Sequence, residues 1–397
     1  MSAPFFSIVI PTRDRPQFIL DTAISAVAQQ FDSFEVILSD NSHDDRTRHQ
    51  LHASKQVGGI TYIRPPQELS MPDHWEFATS HSNGKFVLVL TDRSVLKQGA
   101  LAAVYRAIAD RGNNVVQVCS WRWSLFDDEL GVELHESGGT LALGGRTLSS
   151  AEVLAEFSGQ QKHYPYTLPR ALNSCYSSEM AAKLRTQYGR LFFPLNPDFT
   201  SAFLLLTHIE KMLHIDAPLF VSRGLGSSGG GNAYLSDATS YLNTLGIKDC
   251  YRYVPIKASL VENVIFEDFL AMRDMAGGGL GVEIDWVEYF VRCYREILGK
   301  RGQNILTRQQ IGVLQREWER ALKGMSENTQ RGVRMGLRSM RGLRMRATVR
   351  ELLCDLGLLK AIRSLRKFDR SPGALRTTAL KAAGHELPLN AADKRAA

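Results

Sequence analysis

Phe6-Ser-Ile-Val-Ile-Pro-Thr-Arg-Asp-Arg-Pro16 is the stretch on which the fold turns. Phe6 to Ile10 is continuous, apolar and β-branched, as a strand buried on both faces must be. Pro11-Thr12 ends it. Asp14 and Pro16 then open a helix, with Ile19, Leu20, Ala23, Ile24 and Val27 on one face and Asp14 as its expected cap. Outward from there the alternation continues. Glu35 to Ser39 is a second strand, stopping at Asp40-Asn41-Ser42, and Ile60 to Ile63 a third. Trp75 to Ser80 reads as helix, and Phe86 to Leu90 as a buried strand ending at Thr91-Asp92-Arg93-Ser94. Lys97 to Arg111 is helical and Val115 to Ser120 a further strand. Strands alternating with helices predict an α/β domain with a largely parallel sheet.

The middle of the chain is less regular. Helices are expected from Ser150 to Phe157, Ser178 to Tyr188 and Asp198 to Thr207. Strands are expected from Asn173 to Ser177 and from Met212 to Val221, the latter broken near Asp216-Ala217-Pro218. After the Gly/Ser-rich run Gly224 to Gly231 the pattern becomes helical. Glu283 to Gly299 and Thr307 to Gly324 are long and amphipathic, and Thr307 and Gln310 have capping-box spacing. This predicts three parts: an α/β domain over 1–231, a helical domain over 232–330, and a basic amphipathic segment over 331–397 with a frayed tail.

Bulk properties narrow the possibilities. The net charge is +7, but Arg331 to Arg370 holds twelve Lys/Arg against three Asp/Glu. That local excess of nine leaves −2 elsewhere, so any anionic partner belongs to this segment. The five cysteines (Cys119, Cys175, Cys250, Cys293 and Cys354) are far apart and form no CxxC, which fits free thiols rather than a disulfide framework or zinc site. No signal peptide is expected, because the apolar run Phe5 to Ile10 is short and Arg13, Asp14 and Arg15 follow it, and no run approaches the ~20 apolar residues of a membrane span. A cytoplasmic protein is expected, touching a membrane only at its surface.

In an open parallel sheet, ligands bind beyond the carboxyl ends of the strands. Three strands here end in polar clusters: Pro11-Thr12-Arg13-Asp14, Asp40-Asn41-Ser42 and Asp92-Arg93-Ser94. Singly, such clusters read as caps and turns. If the strands are neighbours, the clusters converge on a crevice with carboxylates, guanidinium groups and hydroxyls, which suits a nucleotide.

With Ala26-Val-Ala-Gln-Gln30, Phe34-Glu-Val-Ile-Leu-Ser-Asp-Asn-Ser42 and Gly84-Lys-Phe-Val-Leu-Val-Leu-Thr-Asp-Arg-Ser94, the opening stretch resembles family-2-type inverting glycosyltransferases of the GT-A fold. The resemblance is strong over residues 5 to about 110 and traceable to about 225. It implies a Rossmann-like sheet flanked by helices, and transfer of a sugar from a nucleoside diphosphate to an acceptor with inversion. Pro11, Thr12 and Arg13 would line the nucleotide pocket, and Asp40 and Asn41 would meet base or ribose. Asp73, His74 or Trp75 in Met71-Pro-Asp-His-Trp-Glu76 would approach from the side. Asp92 would hold a divalent cation, Mg²⁺ or Mn²⁺, on the diphosphate, where it would stabilise the departing charge. Family members place two or three acids at this point, whereas this chain has Asp92-Arg93-Ser94. Arg93 is an alternative phosphate contact. In Leu195-Asn-Pro-Asp-Phe-Thr-Ser201, Asp198 stands where the resemblance puts the general base, although it also reads as a helix cap.

Other signals have plainer readings. Gly224-Leu-Gly-Ser-Ser-Gly229 fits GxGxxG, but no second strand with an acid about twenty residues on completes a dinucleotide fingerprint. A loop offering Ser227, Ser228 and backbone N–H groups to phosphates fits better. Trp121-Arg-Trp123 and Tyr164-Pro-Tyr166 offer stacking surface for an acceptor sugar, or core packing. Arg331, Arg334, Arg338, Arg341 and Arg344 form one cationic stripe if helical, as on an anionic membrane surface at the inner face of the plasma membrane. No nucleic-acid motif is present. The resulting expectation is a transferase acting on a saccharide, lipid-linked acceptor in bacterial surface polysaccharide synthesis. The alternatives are a catalytically inactive membrane-associated scaffold and a nucleotidyltransferase.

Overall fold

The structure is a computed structural model. It describes residues 3–54, 56–112, 115–127, 132–134, 145–159, 166–223, 250–278, 282–302, 306–340, 342, 345, 348 and 379–385. Ten strands form one sheet: β1 (Phe6–Thr12), β2 (Phe34–Asp40), β3 (Ile60–Ile63), β4 (Phe86–Val89), β5 (Ser94–Leu96), β6 (Val118–Asp127), β7 (Val132–Leu134), β8 (Gly145–Ser149), β9 (Ser174–Ser177) and β10 (Lys211–Arg223). The order is β3-β2-β1-β4-β9-β6-β10-β5, with β7 beside β6 and β8 beside β10. β1 to β4 are mutually parallel, β9 is antiparallel to both neighbours, and β6 and β10 again run with β1. The expected sheet is therefore present. Its unforeseen members are β5, β7 and β8, which at three to five residues are too short to give an alternating pattern.

Helices cover both faces: α1 (Pro16–Val27), α2 (Arg46–Ala53), α3 (Met71–Ser80), α4 (Ala100–Ala109), α5 (Ser150–Gly159), α6 (Ser178–Tyr188) and α7 (Pro197–His208). Local chemistry sets their ends. Ser70 Oγ accepts from Asp73 N at the start of α3, and Ser177 Oγ accepts from Met180 N at the start of α6. Gly189, at φ 80°, closes α6 in the left-handed region that glycine adopts without strain. Alternation along β1 supplies both cores. Phe6, Ile8 and Ile10 pack with α1 and α4 residues such as Ile19 and Leu101, while Val9 packs with Trp75, Phe203 and others on the opposite face. Gly84 lets β4 start against β1, because a Cβ there would lie 2.6 Å from Ser7 N.

The helical region comprises α8 (Val261–Met275), α9 (Trp286–Gly302), α10 (Arg308–Lys323) and α11 (Glu327–Ser339), and the capping box at Thr307 and Gln310 is formed. Phe266, Phe269, Tyr289, Phe290, Trp318 and Val333 join the core beneath α5 and α7 rather than a separate one. The expected boundary near residue 232 and the phosphate loop with Ser227 and Ser228 lie outside the described residues. The tail differs from expectation at 379–385. Helix α12 (Ala379–Ala382) buries Ala379 and Leu380 against the α1 face of the sheet, and His385 Nε2 bonds to Leu96 O at 2.7 Å. Cys119, Cys175 and Cys293 are buried free thiols, and Cys250 is a half-buried one. Among the described residues, no helix is long and apolar enough to cross a membrane.

Candidate active site

The parallel order β2-β1-β4 brings the three polar clusters together at one sheet edge. Thr12 pairs with Asp40 in register, and Asp92 lies in the turn three residues past the end of β4. Asp92 is buried. Thr12 Oγ1 donates to its Oδ2 at 3.0 Å, Arg15 Nη1 lies 3.4 Å from its Oδ1, and Thr22 Oγ1 donates to its carbonyl at 2.9 Å. Burial pushes the Asp92 carboxyl above the usual range, opposed by Arg15, Thr12 and Arg93. Arg93 is partly buried, and burial lowers it. Its Nη1 donates to Arg223 O at 2.8 Å, and Arg223 N donates back to Arg93 O at 3.1 Å. The end of β10 is thereby tied to this turn.

The residues expected to border a nucleotide are held more tightly than the sequence suggests. Pro11 and Thr12 are buried, and Arg13 is exposed with its guanidinium on Glu68. Asp40 is fully buried: Tyr62 Oη donates to Oδ2 at 2.7 Å and Ser42 N to Oδ1 at 3.0 Å. Asn41 clamps Leu69 through both ends of its amide, at 2.8 and 3.1 Å. Asp14 is not the cap of α1. That position belongs to Arg15, which makes no side-chain cap bond, and Asp14 sits at φ 54° with its carboxylate on His43 N and Nδ1. Asp73 bonds to Ser70 Oγ at 2.5 Å and to Arg190 Nη2 at 2.6 Å, which accounts for both its oxygens. His74 is buried on Ser39 Oγ at 2.9 Å and Trp75 packs on Phe192, so both serve the core.

Across the crevice, Asp198 occupies the first turn of α7. The cap position is Asn196, one residue before Pro197. Burial raises the Asp198 carboxyl above its ordinary range, while Arg170, with Nη1 at 3.9 Å, and then Arg93 pull it down. Arg93 therefore feels both Asp92 and Asp198, which joins the two carboxylates in one electrostatic site. Arg170 is held by stacking, with its guanidinium carbon 4.7 Å from the Trp123 ring centroid and 5.1 Å from that of Phe199. Its loop is pinned by buried Asn173, whose amide N–H groups are shared among the carbonyls of Trp121, Leu168 and Tyr166 at 3.0 to 3.3 Å.

The loop before Asp198 is anchored from the helical region. Asp268 on α8 accepts from Leu195 N at 2.9 Å, Asn196 N at 3.1 Å and Asn196 Nδ2 at 2.7 Å. Burial pushes Asp268 up to about 8 against these donors, with the Asp198 charge adding to the rise. Sequence reading assigned no role to Arg15, Arg170, Arg223 or Asp268. Arg15 stood inside the opening motif and was passed over. Arg170 lies in an irregular loop, and Asp268 lies in a helix remote in sequence, so neither carries a local signal. Trp123 stands beside Arg170 and Tyr166, whereas Trp121 is buried and Tyr164 lies outside the described residues.

Residues 7–149 match the model of glycosyl transferase family 2. No curated protein matches the chain. Among solved structures, S. aureus TarS 1-349 in complex with UDP-GlcNAc is 12% identical, with 85% of this chain and 91% of that chain covered and a TM-score of 0.47. The mannosyltransferase PcManGT from Pyrobaculum calidifontis, in complex with GDP-Man and Mn²⁺, is 11% identical, with 89% of this chain and 88% of that chain covered and a TM-score of 0.40. The part of the chain that is similar to glycosyl transferase family 2 is thus residues 7–149.

Proposed function

From that similarity, we propose that the chain transfers a sugar from a nucleoside diphosphate to an acceptor hydroxyl with inversion, and that Asp198 is the general base. The single observation carrying this reading is that two unlike carboxylates, Asp92 and Asp198, both act on the partly buried guanidinium of Arg93. Asp92 lies at the nucleotide side, bound to Thr12 and Arg15, and Asp198 lies across from it beside Arg170. In the reaction, Asp198 takes the acceptor proton, the acceptor oxygen bonds to the anomeric carbon, and the C–O bond to the diphosphate breaks with its electrons leaving on phosphate. A base must be ionised and still proton-hungry. Burial supplies the second property and Arg170 the first.

Pro11, Thr12, Arg13, Asp40 and Asn41 would border the nucleoside. Asp40 and Asn41 would act mainly by shaping that edge, since their polar atoms are already engaged. The same holds for Asp73. The acceptor side would be Trp123 and Tyr166. Incubating the full chain with a panel of nucleotide sugars should release nucleoside diphosphate from one of them. Release from none would sink the reading, and so would full activity in Asp198→Asn.

A lipid-linked saccharide acceptor at an anionic membrane surface fits the outer face of α11. Arg331, Arg334 and Arg338 are exposed there, and Met335 is 63% exposed between them. The rest of the segment to Arg370, apart from 342, 345 and 348, lies outside the described residues. Surface polysaccharide synthesis is the process such an acceptor would serve.

A further inference from the structure

The surroundings of Asp92 fit a divalent cation poorly. Mg²⁺ and Mn²⁺ require several hard oxygen donors. Here Asp92 is one carboxylate, and its two oxygens already face Thr12 Oγ1 at 3.0 Å and Arg15 Nη1 at 3.4 Å. The next residue, where a second acid would help, is Arg93. Among the described residues, no three His, Cys, Asp or Glu gather as a metal-binding group. A dication seated at Asp92 would instead stand among the guanidinium groups of Arg15 and Arg93, with Arg170 within electrostatic reach of Arg93.

The same arrangement is well made for a diphosphate. Arg15 enters from the start of α1 and is tethered by Asp92. Arg93 is fixed at one nitrogen by Arg223 O, which orients its planar fork. Guanidinium groups match phosphate oxygens in pairs of N–H donors and keep their charge at any working pH. Held in a partly buried crevice, they meet charge developing on a leaving phosphate without reorganising.

We propose that Arg15 and Arg93 bind the donor diphosphate and stabilise it as a leaving group, replacing the divalent cation, and that Asp92 is a positioning residue for Arg15. This rests on the nucleotide-sugar reading above. During transfer, the anomeric C–O bond breaks, its electron pair stays on the diphosphate oxygen, and the acceptor proton goes to Asp198. The guanidinium groups contribute charge and hydrogen bonds only, and no proton or electron passes through them.

Isothermal titration of the full chain with UDP, GDP, CDP and dTDP tests this, each in EDTA and again with Mn²⁺ or Mg²⁺. The diphosphate that binds should do so equally, within about twofold, with and without metal. Arg15→Gln and Arg93→Gln should each weaken it on the order of tenfold or more, as loss of a charged hydrogen bond does, while binding of the matching nucleoside stays within about twofold. Arg93→Lys, which keeps the charge, should recover part of the loss. Binding that disappears in EDTA and returns with Mn²⁺ overturns the proposal and leaves the nucleotide reading intact. Wild-type binding of no diphosphate in either buffer overturns the nucleotide reading, and this inference with it. The wild-type EDTA comparison decides even if a variant fails to fold.

Discussion

Asp198 and Asp92 both act on Arg93, and their neighbours suit them to different work in the proposed reaction. Asp198→Asn removes the proton acceptor and little volume, so kcat should fall roughly 10²–10⁴-fold with nucleotide binding unchanged in titration. Because the base works ionised, the rate should fall as pH drops through its raised pKa. Arg170 pulls that pKa down, so Arg170→Gln should move the acid limb of the kcat profile to higher pH. A limb that stays in place would remove Asp198 from the base role. Both His74 and His214 are pushed down to about 4, chiefly by burial, from 6.5 in the unfolded chain. The unfolded state then binds more protons between these values. Their contribution to stability is complete above about pH 6.5 and is lost as pH falls toward 4. At pH 5 the loss is roughly 2 kcal/mol per histidine, and His214→Gln should flatten part of it in urea unfolding at pH 7.5 and 5. At this scale the sequence points to Thr12, Asp92, Arg93 and Asp198 as candidates, because motif position alone singles them out. It marked Asp14 as a cap and gave Asp40 and Asn41 free polar groups, because bonds to His43, Tyr62 and Leu69 arise only when distant segments meet.

The parallel half of the sheet, β1 to β4, was readable because each strand is an unbroken apolar run between turn residues. The short strands β5, β7 and β8 and the Arg170 loop were not, since their residues are placed by pairing and by Asn173 rather than by periodicity. Helix α8 gave no early sign either, yet it holds the loop that presents Asp198. Asp268→Asn should therefore lower kcat while leaving donor affinity nearly unchanged, because Asp268 bonds to Leu195 N and to the backbone and side-chain amides of Asn196, all in the loop before Asp198. An equal loss in both parameters would mean a general collapse instead. Between α9 and α11 the approach is close: a Cβ at Gly332 would lie 2.7 Å from Val287 Cγ2, and at Gly336 2.9 Å from Val291 Cγ2. Gly332→Ala should cost about 1–3 kcal/mol in urea unfolding. The gain in helix propensity, about 1 kcal/mol, offsets only part of the strain.

Across the whole molecule, the helical region and the sheet act as one body through a continuous core that runs from Val9 to Val333. Returning to the N-terminal half, residues 379–385 cover the other face beside β5. The charge separation read from the sequence has one described expression, the outer face of α11. Vesicles containing phosphatidylglycerol should float the chain at low salt and phosphatidylcholine vesicles should not. Reversal of Arg331, Arg334 and Arg338 to Glu should abolish flotation without altering donor turnover in solution. The most direct test of the central claim is a crystal structure with the nucleoside diphosphate that binds. The account predicts the diphosphate at the carboxyl edge of β1 and β4, its oxygens on Arg15 and Arg93, with Asp198 facing the position the transferred sugar would take. A diphosphate bound away from this edge, or one turned from Asp198, would contradict it.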